Sequence, residues 1–269
     1  MKRIVRITIL FSLVVILFIS NSCKNKDDKS LNVFRIQDDV ALGKELEQYI
    51  ASNPQEYPVL SEAQYPQAYA HIRGLRDSIL NANKVFYKNE FEWKVQIIRD
   101  DATLNAFCAP GGYIYIYTGL IKFLDTEDEL IGVLSHEIAH ADRRHSTDRL
   151  TKQYGLSLLV GIVAGTTGQD QLAQIAASLT TLAFSRSDEK EADEYSVKYL
   201  CPTTYNAAGA AGFFEKIESL GGQSIPQFLS THPDPDNRIQ NIYDNKTSEG
   251  CLGNEKYDLR YQQFKASLP

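Results

Sequence analysis

The sequence HEIAH, from His136 to His140, lies in a stretch from Thr126 to His145 that has the pattern of a helix. Thr126 and Glu129 have the spacing of a capping box, which predicts that the helix begins there. The apolar residues that follow recur at intervals of three and four: Leu130, Val133, Leu134, Ile138 and Ala141. Side chains four residues apart lie on the same side of a helix, so His136 and His140 can bind one zinc ion.

Glu137 lies next to the first of these histidines, where a carboxylate can flank a metal ion without coordinating it. That is the position of a general base for a water molecule activated by zinc. A structural zinc site usually has four Cys or His ligands, and no cysteine is close to this motif in the sequence. The other alternative is a surface helix that carries two histidines by chance.

Helices and strands precede the motif in a mainly helical chain. Residues 36–52 and the segment that begins at Tyr69 are amphipathic and predict helices. Three segments are rich in β-forming residues. The segment Trp93 to Ile98 comes first, and Thr103 to Cys108 and Tyr113 to Tyr117 then lie on either side of the turn Pro110-Gly111-Gly112. They predict a small antiparallel sheet beside the HEIAH helix, whose edge can hold an extended peptide by main-chain hydrogen bonds. The predicted fold class is therefore α+β and predominantly helical.

The run SRSDEKEAD, from Ser185 to Asp193, can supply a third zinc ligand. It contains three acidic candidates: Asp188, Glu189 and Glu191. Glu189 and Asp193 are four residues apart and share a helix face, from which Asp193 can hydrogen-bond a ligating histidine. This geometry favours Glu189 as the ligand. A solvated helix face is the alternative for such a cluster of charges.

The N-terminus has the pattern of a secretion signal. Lys2, Arg3 and Arg6 precede an apolar run from Ile7 to Ile19, which is too short for a comfortable membrane span. The run ends in Ser20-Asn21-Ser22-Cys23, which resembles a bacterial lipobox. We therefore predict a lipoprotein signal peptide over residues 1–22 and lipidation of Cys23. Ordinary signal cleavage nearby and an uncleaved anchor are the alternatives.

The charged segment KNKDDKS, from Lys24 to Ser30, lacks apolar residues and predicts a flexible tether over residues 23–35. Residues 36–269 are predicted to form a single domain. The formal charge is −6, and loss of residues 1–22 with their three cationic side chains would make it −9. An acidic chain is a poor binder of nucleic acids, so no nucleic-acid partner is expected.

Three cysteines remain after Cys23, which allows at most one intramolecular disulfide and leaves one thiol. Cys201 follows the helix that carries Glu189, and Cys251 lies in the polar C-terminal segment. We predict that these two residues form a disulfide that ties the C-terminal segment to the core. Cys108, in an apolar strand, is predicted to be a buried thiol.

Four motifs occur in this chain in the order seen in family forty-eight of the metallopeptidases: Asn105 to Leu120, HEIAH, SRSDEKEAD and STHPDPDNR, from Ser230 to Arg238. The chain resembles that family, which includes the CAAX prenyl endopeptidases, the membrane heat-shock protease HtpX and the periplasmic protease BepA, from residue 36 to residue 246. The resemblance implies a zincin-like metallopeptidase of the gluzincin type.

The resemblance also implies the roles of particular residues. It implies zinc bound by His136, His140 and Glu189, with Glu137 as the base and Asp193 as a supporting acid. Asn105 and Ala106 would line the substrate groove. His232 would occupy the open zinc position and keep the enzyme latent, whereas the loop chemistry around two prolines, taken alone, favours a structural role for this histidine.

The expected function is that of a zinc-dependent endopeptidase of the bacterial cell envelope, which degrades misfolded or stalled envelope proteins. The chain lacks the membrane spans of the prenyl endopeptidases and the C-terminal helical repeats of BepA, so we expect a soluble lipoprotein member with no CAAX substrate. A lipid anchor would hold it to the outer membrane, facing the periplasm or the cell surface. The alternative function is a chaperone-like binding protein that uses the same groove without cleavage.

Overall fold

The structure is a computed structural model that describes residues 34–166, 168–220 and 226–269. The predicted signal peptide, Cys23 and most of the predicted tether lie outside the described residues. The helices are α1 (Ile36–Ser52), α2 (Pro66–Asn81), α3 (Thr118–Phe123), α4 (Glu127–Asp142), α5 (His145–Tyr154), α6 (Leu156–Val163), α7 (Gln169–Leu179), α8 (Arg186–Leu200), α9 (Gly209–Ser219), α10 (Gln227–Thr231), α11 (Arg238–Ser248) and α12 (Asp258–Ala266). The strands are β1 (Lys94–Ile98), β2 (Ala106–Ala109) and β3 (Tyr113–Tyr117).

These elements confirm the predicted α+β, mainly helical fold with a small sheet beside the HEIAH helix α4. Within the described ranges, no helix is both long enough and apolar enough to cross a membrane. The apolar segments that follow α5 form α6 and α7, and both pack against α1.

The sheet is mixed, so the prediction of an antiparallel sheet is wrong for one of its two strand pairs. β2 and β3 flank the Pro110–Gly112 turn and are antiparallel, with Cys108 opposite Ile114. β1 pairs with the other side of β3 in parallel, with Val95 also opposite Ile114. The chain crosses from β1 to the far side of β3 before it forms β2, which therefore lies at a sheet edge. A sequence pattern identifies strands but not this crossing.

Both faces of the sheet are buried, which explains the alternation of Tyr and Ile in β3. Successive side chains of a strand point to opposite faces. Ile114 and Ile116 join the hydrophobic cluster that contains the apolar face of α4, whereas the tyrosines Tyr113, Tyr115 and Tyr117 join a second cluster formed with α1, α6 and α7. The strand thus holds α4 at a fixed distance from the N-terminal helix.

Helix α4 lies at the centre of the larger hydrophobic cluster and packs against α8 and α9. Two glycines allow its close contact with α9. A Cβ atom on Gly132 would lie 2.3 Å from the amide nitrogen of Ala210, and one on Gly209 would lie 1.9 Å from the carbonyl oxygen of Asp128. On the other side, the Ser135 hydroxyl donates to the carbonyl of Ser196 in α8 (3.0 Å). These contacts fix α4 relative to the helix that carries the acidic motif.

Helix α4 begins where predicted, but the hydrogen bonds of its cap and the position of its C-terminal end differ from the predictions. Thr126 is the N-cap residue, but its hydroxyl donates to the Asp128 carboxylate, and Glu129 accepts from the amide of Asp125 (2.8 Å). The predicted capping box is therefore not formed, because the Thr126 hydroxyl does not accept from the Glu129 amide and is instead directed to the Asp128 carboxylate. The helix ends at Asp142 and not at His145, since Arg144 adopts a left-handed conformation (φ 62°) and begins a new helix.

Candidate metal centre

Helix α4 presents His136 and His140 to a common point in the protein interior. Both side chains are buried, and their Nε2 atoms lie 2.9 Å apart. The four-residue spacing and the helical conformation produce this arrangement directly. Two imidazole nitrogens that face each other at this distance can share a cation or a single proton.

Helix α8 adds Glu189 to the same point. Its Oε2 atom lies 3.4 Å from His136 Nε2, and its Oε1 atom lies 3.3 Å from His140 Nε2. A tetrahedral zinc site with bonds of about 2.05 Å has ligand atoms about 3.3 Å apart. The spacing between the carboxylate and the two imidazoles therefore fits zinc.

The other acidic residues of the SRSDEKEAD run lie elsewhere. Asp188 forms a capping box with Ser185 at the start of α8, and Glu191 contacts His145 and Arg143. Asp193 lies one turn beyond Glu189, with Oδ1 at 2.9 Å from His136 Nδ1. Helix geometry therefore gives the acidic residues different positions: Asp188 caps the helix, Glu189 joins the cluster and Asp193 lies behind His136.

His232 completes a cluster of four buried residues that can hold a metal ion. One ligand atom from each of His136, His140, Glu189 and His232 can be chosen so that all four atoms lie within 4.8 Å of one another. Among the described residues, both Glu189 oxygens and His232 Nε2 lack a hydrogen bond of good geometry although they are buried. Buried polar atoms normally have hydrogen-bond partners, so a cation at this point would provide a partner for these three atoms.

The pKa shifts in the cluster suit a cation site. Burial alone would raise the pKa of Glu189, but the charges of His232, His140 and Arg238 hold it well below its usual range. Burial lowers the pKa of His140 well below its ordinary value. For His136 burial also lowers the pKa, but the carboxylates of Asp193 and Glu189 outweigh it and raise the pKa to about 9. The cluster therefore contains an anionic carboxylate and one imidazole that favours its neutral, ligating form.

Glu137 lies beside the cluster and next to His232. Its Oε1 atom is 3.3 Å from His232 Nε2, and both side chains are fully buried. Neither carboxylate oxygen of Glu137 has a hydrogen-bond partner within the described part of the chain. The carboxylate is therefore free to accept a proton from a molecule that enters the cluster.

The segment that carries His232 is fixed by several contacts. The Phe228 ring stacks on the His232 imidazole with centroids 4.0 Å apart, and Thr231 Oγ1 lies 2.9 Å from His232 Nδ1. The Phe228 amide donates to the carbonyl of Leu104 (3.0 Å), directly before Asn105. Helix α10 thus contacts both the metal cluster and the start of the edge strand.

Asn105 and Ala106 lie where the chain enters β2, and both are buried. The Asn105 carbonyl accepts from the amide of Tyr117 (3.1 Å). Neither polar atom of the Asn105 side-chain amide has a partner among the residues that the structure describes. This buried amide has unused hydrogen-bonding capacity at the edge of the sheet.

Two residues of the centre were missed by the sequence reasoning. Arg238 is fully buried, and its Nη2 atom lies 2.8 Å from Asp193 Oδ1 and 3.0 Å from Glu189 Oε2. Phe184 stacks on the His140 ring with centroids 3.8 Å apart. Arg238 ends the STHPDPDNR motif, but no local pattern distinguishes it from a surface arginine. Phe184 directly precedes Ser185, the cap of α8, and this position is the only feature of the sequence that could have indicated its role.

None of the three described cysteines belongs to the metal cluster. Cys201 and Cys251 form a disulfide with their Cα atoms 4.7 Å apart, and this bond joins the end of α8 to the C-terminal segment. Cys108 is a buried free cysteine in β2, with Sγ 3.1 Å from Ser146 Oγ. Burial raises the pKa of its thiol, so it is an unreactive group.

The sequence profile of peptidase family M48 matches residues 66–246, well over half of the chain. The mitochondrial metalloendopeptidase OMA1 of Arabidopsis thaliana is 33% identical over 141 residues, which cover 52% of this chain and 29% of that protein. The metalloprotease YcaL of Escherichia coli is 28% identical over 188 residues, which cover 68% of this chain and 70% of that protein.

The beta-barrel assembly-enhancing protease of Yersinia pestis is 28% identical over 175 residues, which cover 60% of this chain and 35% of that protein. This chain thus spans only about a third of the length of the Arabidopsis and Yersinia relatives. The matched region of the family profile contains every member of the metal cluster as well as Glu137, Asp193 and Arg238.

Proposed function

The chain belongs to peptidase family M48, and from this membership we propose that it is a zinc-dependent endopeptidase. The observation that carries the proposal is the buried cluster in which the Glu189 oxygens lie 3.4 and 3.3 Å from the Nε2 atoms of His136 and His140, with the Glu137 carboxylate beside it. Such a constellation combines a metal site with a candidate proton acceptor, which hydrolysis requires and simple metal storage does not.

His136, His140 and Glu189 would hold the zinc ion. When bound, zinc supplies Lewis acidity, which polarises a peptide carbonyl and lowers the pKa of water. Asp193 would accept a hydrogen bond from His136 Nδ1 and so keep Nε2 of that ring directed into the cluster. Arg238 would in turn hold the Asp193 carboxylate through its Nη2 atom.

Glu137 would act as the general base and then as the general acid. One of its carboxylate oxygens would accept a proton from the attacking water molecule and deliver it to the leaving amine nitrogen. Its position favours this role, because the carboxylate lies beside the cluster and neither of its oxygens has a hydrogen-bond partner among the described residues.

The substrate would be a polypeptide bound in extended form along the edge strand β2. Main-chain groups of Ala106 would pair with the peptide in the manner of an added strand, and the side-chain amide of Asn105 would make a further hydrogen bond to it. The position of β2 at a sheet edge and the unpartnered Asn105 amide support this role.

His232 would hold the enzyme in a latent form. His232 belongs to the four-residue cluster, and Phe228 in the segment that carries it donates its amide to the Leu104 carbonyl shortly before β2. A neutral imidazole can occupy the fourth position of a three-ligand site reversibly. Activation would then move α10 away from both the metal cluster and the edge strand.

The alternative function is a chaperone-like protein that holds polypeptides in the same groove without cleavage. A fluorogenic casein assay on the purified chain separates the two, because a peptidase releases fluorescence that a chelator abolishes and added Zn²⁺ restores. A binding protein would retain casein without fluorescence release in either condition. Glu137 supports the peptidase, since binding alone requires no base.

We further propose that the protein acts in the bacterial cell envelope, on misfolded or stalled envelope proteins. Residues 1–22 would be removed as a signal peptide, Cys23 would carry the lipid, and residues 23–35 would tether one domain over residues 36–269. More than one acyl chain is needed for firm anchoring, which a lipoprotein cysteine provides.

Substitution of Cys23→Ser should block acyl labelling and release the protein from the membrane fraction. Unchanged membrane association would favour the apolar run from Ile7 to Ile19 as an uncleaved anchor.

A further inference from the structure

Behind His140, on the side away from the cluster, lies a chain of contacts that the proposed function does not use. His140 Nδ1 lies 2.9 Å from His145 Nδ1, and His145 Nε2 lies 3.1 Å from Glu191 Oε2. The other carboxylate oxygen of Glu191 accepts from Arg143 Nε (2.9 Å). His145 is buried, so this chain runs through the protein from a partly exposed carboxylate to the metal cluster.

The positions of the protons along this chain follow from its geometry. His140 must keep the lone pair of Nε2 free to bind a metal, so its ring proton resides on Nδ1. Two facing ring nitrogens form a hydrogen bond only when one donates, so His145 Nδ1 accepts the proton of His140. The proton of His145 then resides on Nε2 and donates to Glu191. With both imidazoles in their neutral forms, each contact has one donor and one acceptor when His140 is in its ligating tautomer.

The turn after α4 produces this arrangement. Arg144 is left-handed and its guanidinium donates to the buried Asp39 carboxylate (2.6 Å), which turns the chain so that His145 faces back toward His140. The two rings meet nearly edge to face, with centroids 5.0 Å apart and planes at 72°. A left-handed non-glycine residue is costly, and here the turn is fixed by a buried ion pair.

We propose that His145 and Glu191 are positioning residues that hold His140 in the tautomer and orientation needed for metal binding. This inference rests on the proposed metal site. His136 obtains the same support from Asp193 in one step, whereas His140 obtains it from Glu191 in two steps through His145. The two ligating imidazoles are thereby both supported by carboxylates of helix α8. Loss of a hydrogen-bond partner behind a metal ligand typically lowers metal affinity by about 10–100-fold.

The test uses the purified chain and four variants. His145→Phe retains an aromatic ring but removes both nitrogens, whereas His145→Asn retains a short polar acceptor in place of Nδ1. Glu191→Ala removes the terminal carboxylate. Glu194→Ala is the matched control, because Glu194 is on the same helix but pairs with Lys198 and not with a histidine.

Two readouts report on the metal site independently of peptide cleavage. One is the Zn²⁺ dissociation constant from competition with a chromophoric chelator, and the other is the visible absorption spectrum of the Co²⁺-substituted protein. We expect His145→Phe to weaken Zn²⁺ binding by roughly 10–100-fold and to change the Co²⁺ spectrum. His145→Asn should lose less affinity than His145→Phe, Glu191→Ala should lose affinity by about tenfold, and Glu194→Ala should match the wild type.

A wild-type Zn²⁺ affinity and Co²⁺ spectrum in folded His145→Phe would overturn the proposal. Equal losses of Zn²⁺ affinity in Glu191→Ala and Glu194→Ala would also overturn it, because the effect would then come from removal of any negative charge from α8. Should His145→Phe not fold, His145→Asn and Glu191→Ala decide by the same criteria. If the wild-type chain itself binds no Zn²⁺, the proposed function fails; if it binds Zn²⁺ and the variants do so equally, only this inference fails.

Discussion

His232 Nε2 lies 3.3 Å from Glu137 Oε1, and both side chains are fully buried. The imidazole therefore occupies the space beside the carboxylate that a water molecule would need in order to be deprotonated. Under the proposed mechanism, the segment that carries His232 would have to move before a peptide could bind beside Glu137.

We predict that His232→Ala retains zinc and raises basal proteolysis, including self-cleavage, because the blocking ring is removed while the three proposed ligands remain. Casein cleavage rates and zinc content of the purified variant are the measurements. The double variant His232→Ala with Glu137→Gln should show no increase in proteolysis, because it lacks the proposed base. Lower activity of His232→Ala with intact zinc would mean that the imidazole assists the reaction or braces the loop, and the latency proposal would be abandoned.

For the third ligand, we predict that Glu189→Gln lowers zinc content far more than Glu191→Gln. Glu189 lies 3.3 and 3.4 Å from the two histidine Nε2 atoms, whereas Glu191 contacts His145 and retains an acceptor oxygen as glutamine. Metal analysis of both variants after dialysis decides between them. The reverse order would assign the metal to Glu191.

The disulfide between Cys201 and Cys251 is predicted to stabilise the native state. The cysteines are 50 residues apart in the sequence, and closure of such a loop is worth about 4 kcal/mol in the chain-entropy model. Double substitution to serine should lower the urea midpoint accordingly. Non-reducing peptide mapping should find this pair together and the buried Cys108 alkylated only after unfolding. A bridge that contains Cys108 would refute the pairing.

A pH-dependent contribution to stability is predicted at Glu127, on the first turn of α4. Burial would raise the pKa of this carboxyl, but contacts with His71, Arg260 and Tyr205 lower it to about 2. A depressed pKa contributes stability above the ordinary value of 4.5, which is lost as the pH falls toward 2.

Glu127→Gln should therefore reduce the free energy of unfolding at pH 7 by about 2–3 kcal/mol, discounted for the half-exposed Arg260. The difference in free energy of unfolding between the variant and the wild type should shrink as the pH falls from about 5 toward about 2. Urea titrations over this range are the measurement, with the exposed Asp258→Asn on α12 as the control. A pH-independent difference would indicate that packing and not charge is responsible.

Helical periodicity was sufficient to predict which side chains of one helix act together. The four-residue spacings of His136 with His140 and of Glu189 with Asp193 are local properties, and a helix converts them directly into shared faces. The structure brings the faces of α4 and α8 together at the metal cluster.

Contacts between distant segments could not be predicted in the same way. Arg238 reaches Asp193 across 45 residues and Arg144 reaches Asp39 across 105 residues, and neither arginine has a local pattern that marks it. The order of the strands has the same origin, since alternation in β1 and β3 identifies strands without their partners. The end of α4 was predicted too late because Arg144 leaves the helix to make a tertiary contact.

The most direct test of the proposed peptidase is to measure zinc content and casein turnover together in the wild type and in Glu137→Gln. The substitution changes only the proton carrier and leaves His136, His140 and Glu189 in place. We predict one zinc ion per chain in both proteins, chelator-sensitive turnover in the wild type and a loss of at least about 100-fold in the variant. Loss of zinc in Glu137→Gln, or turnover equal to that of the wild type, would contradict the assignment of Glu137 as the base.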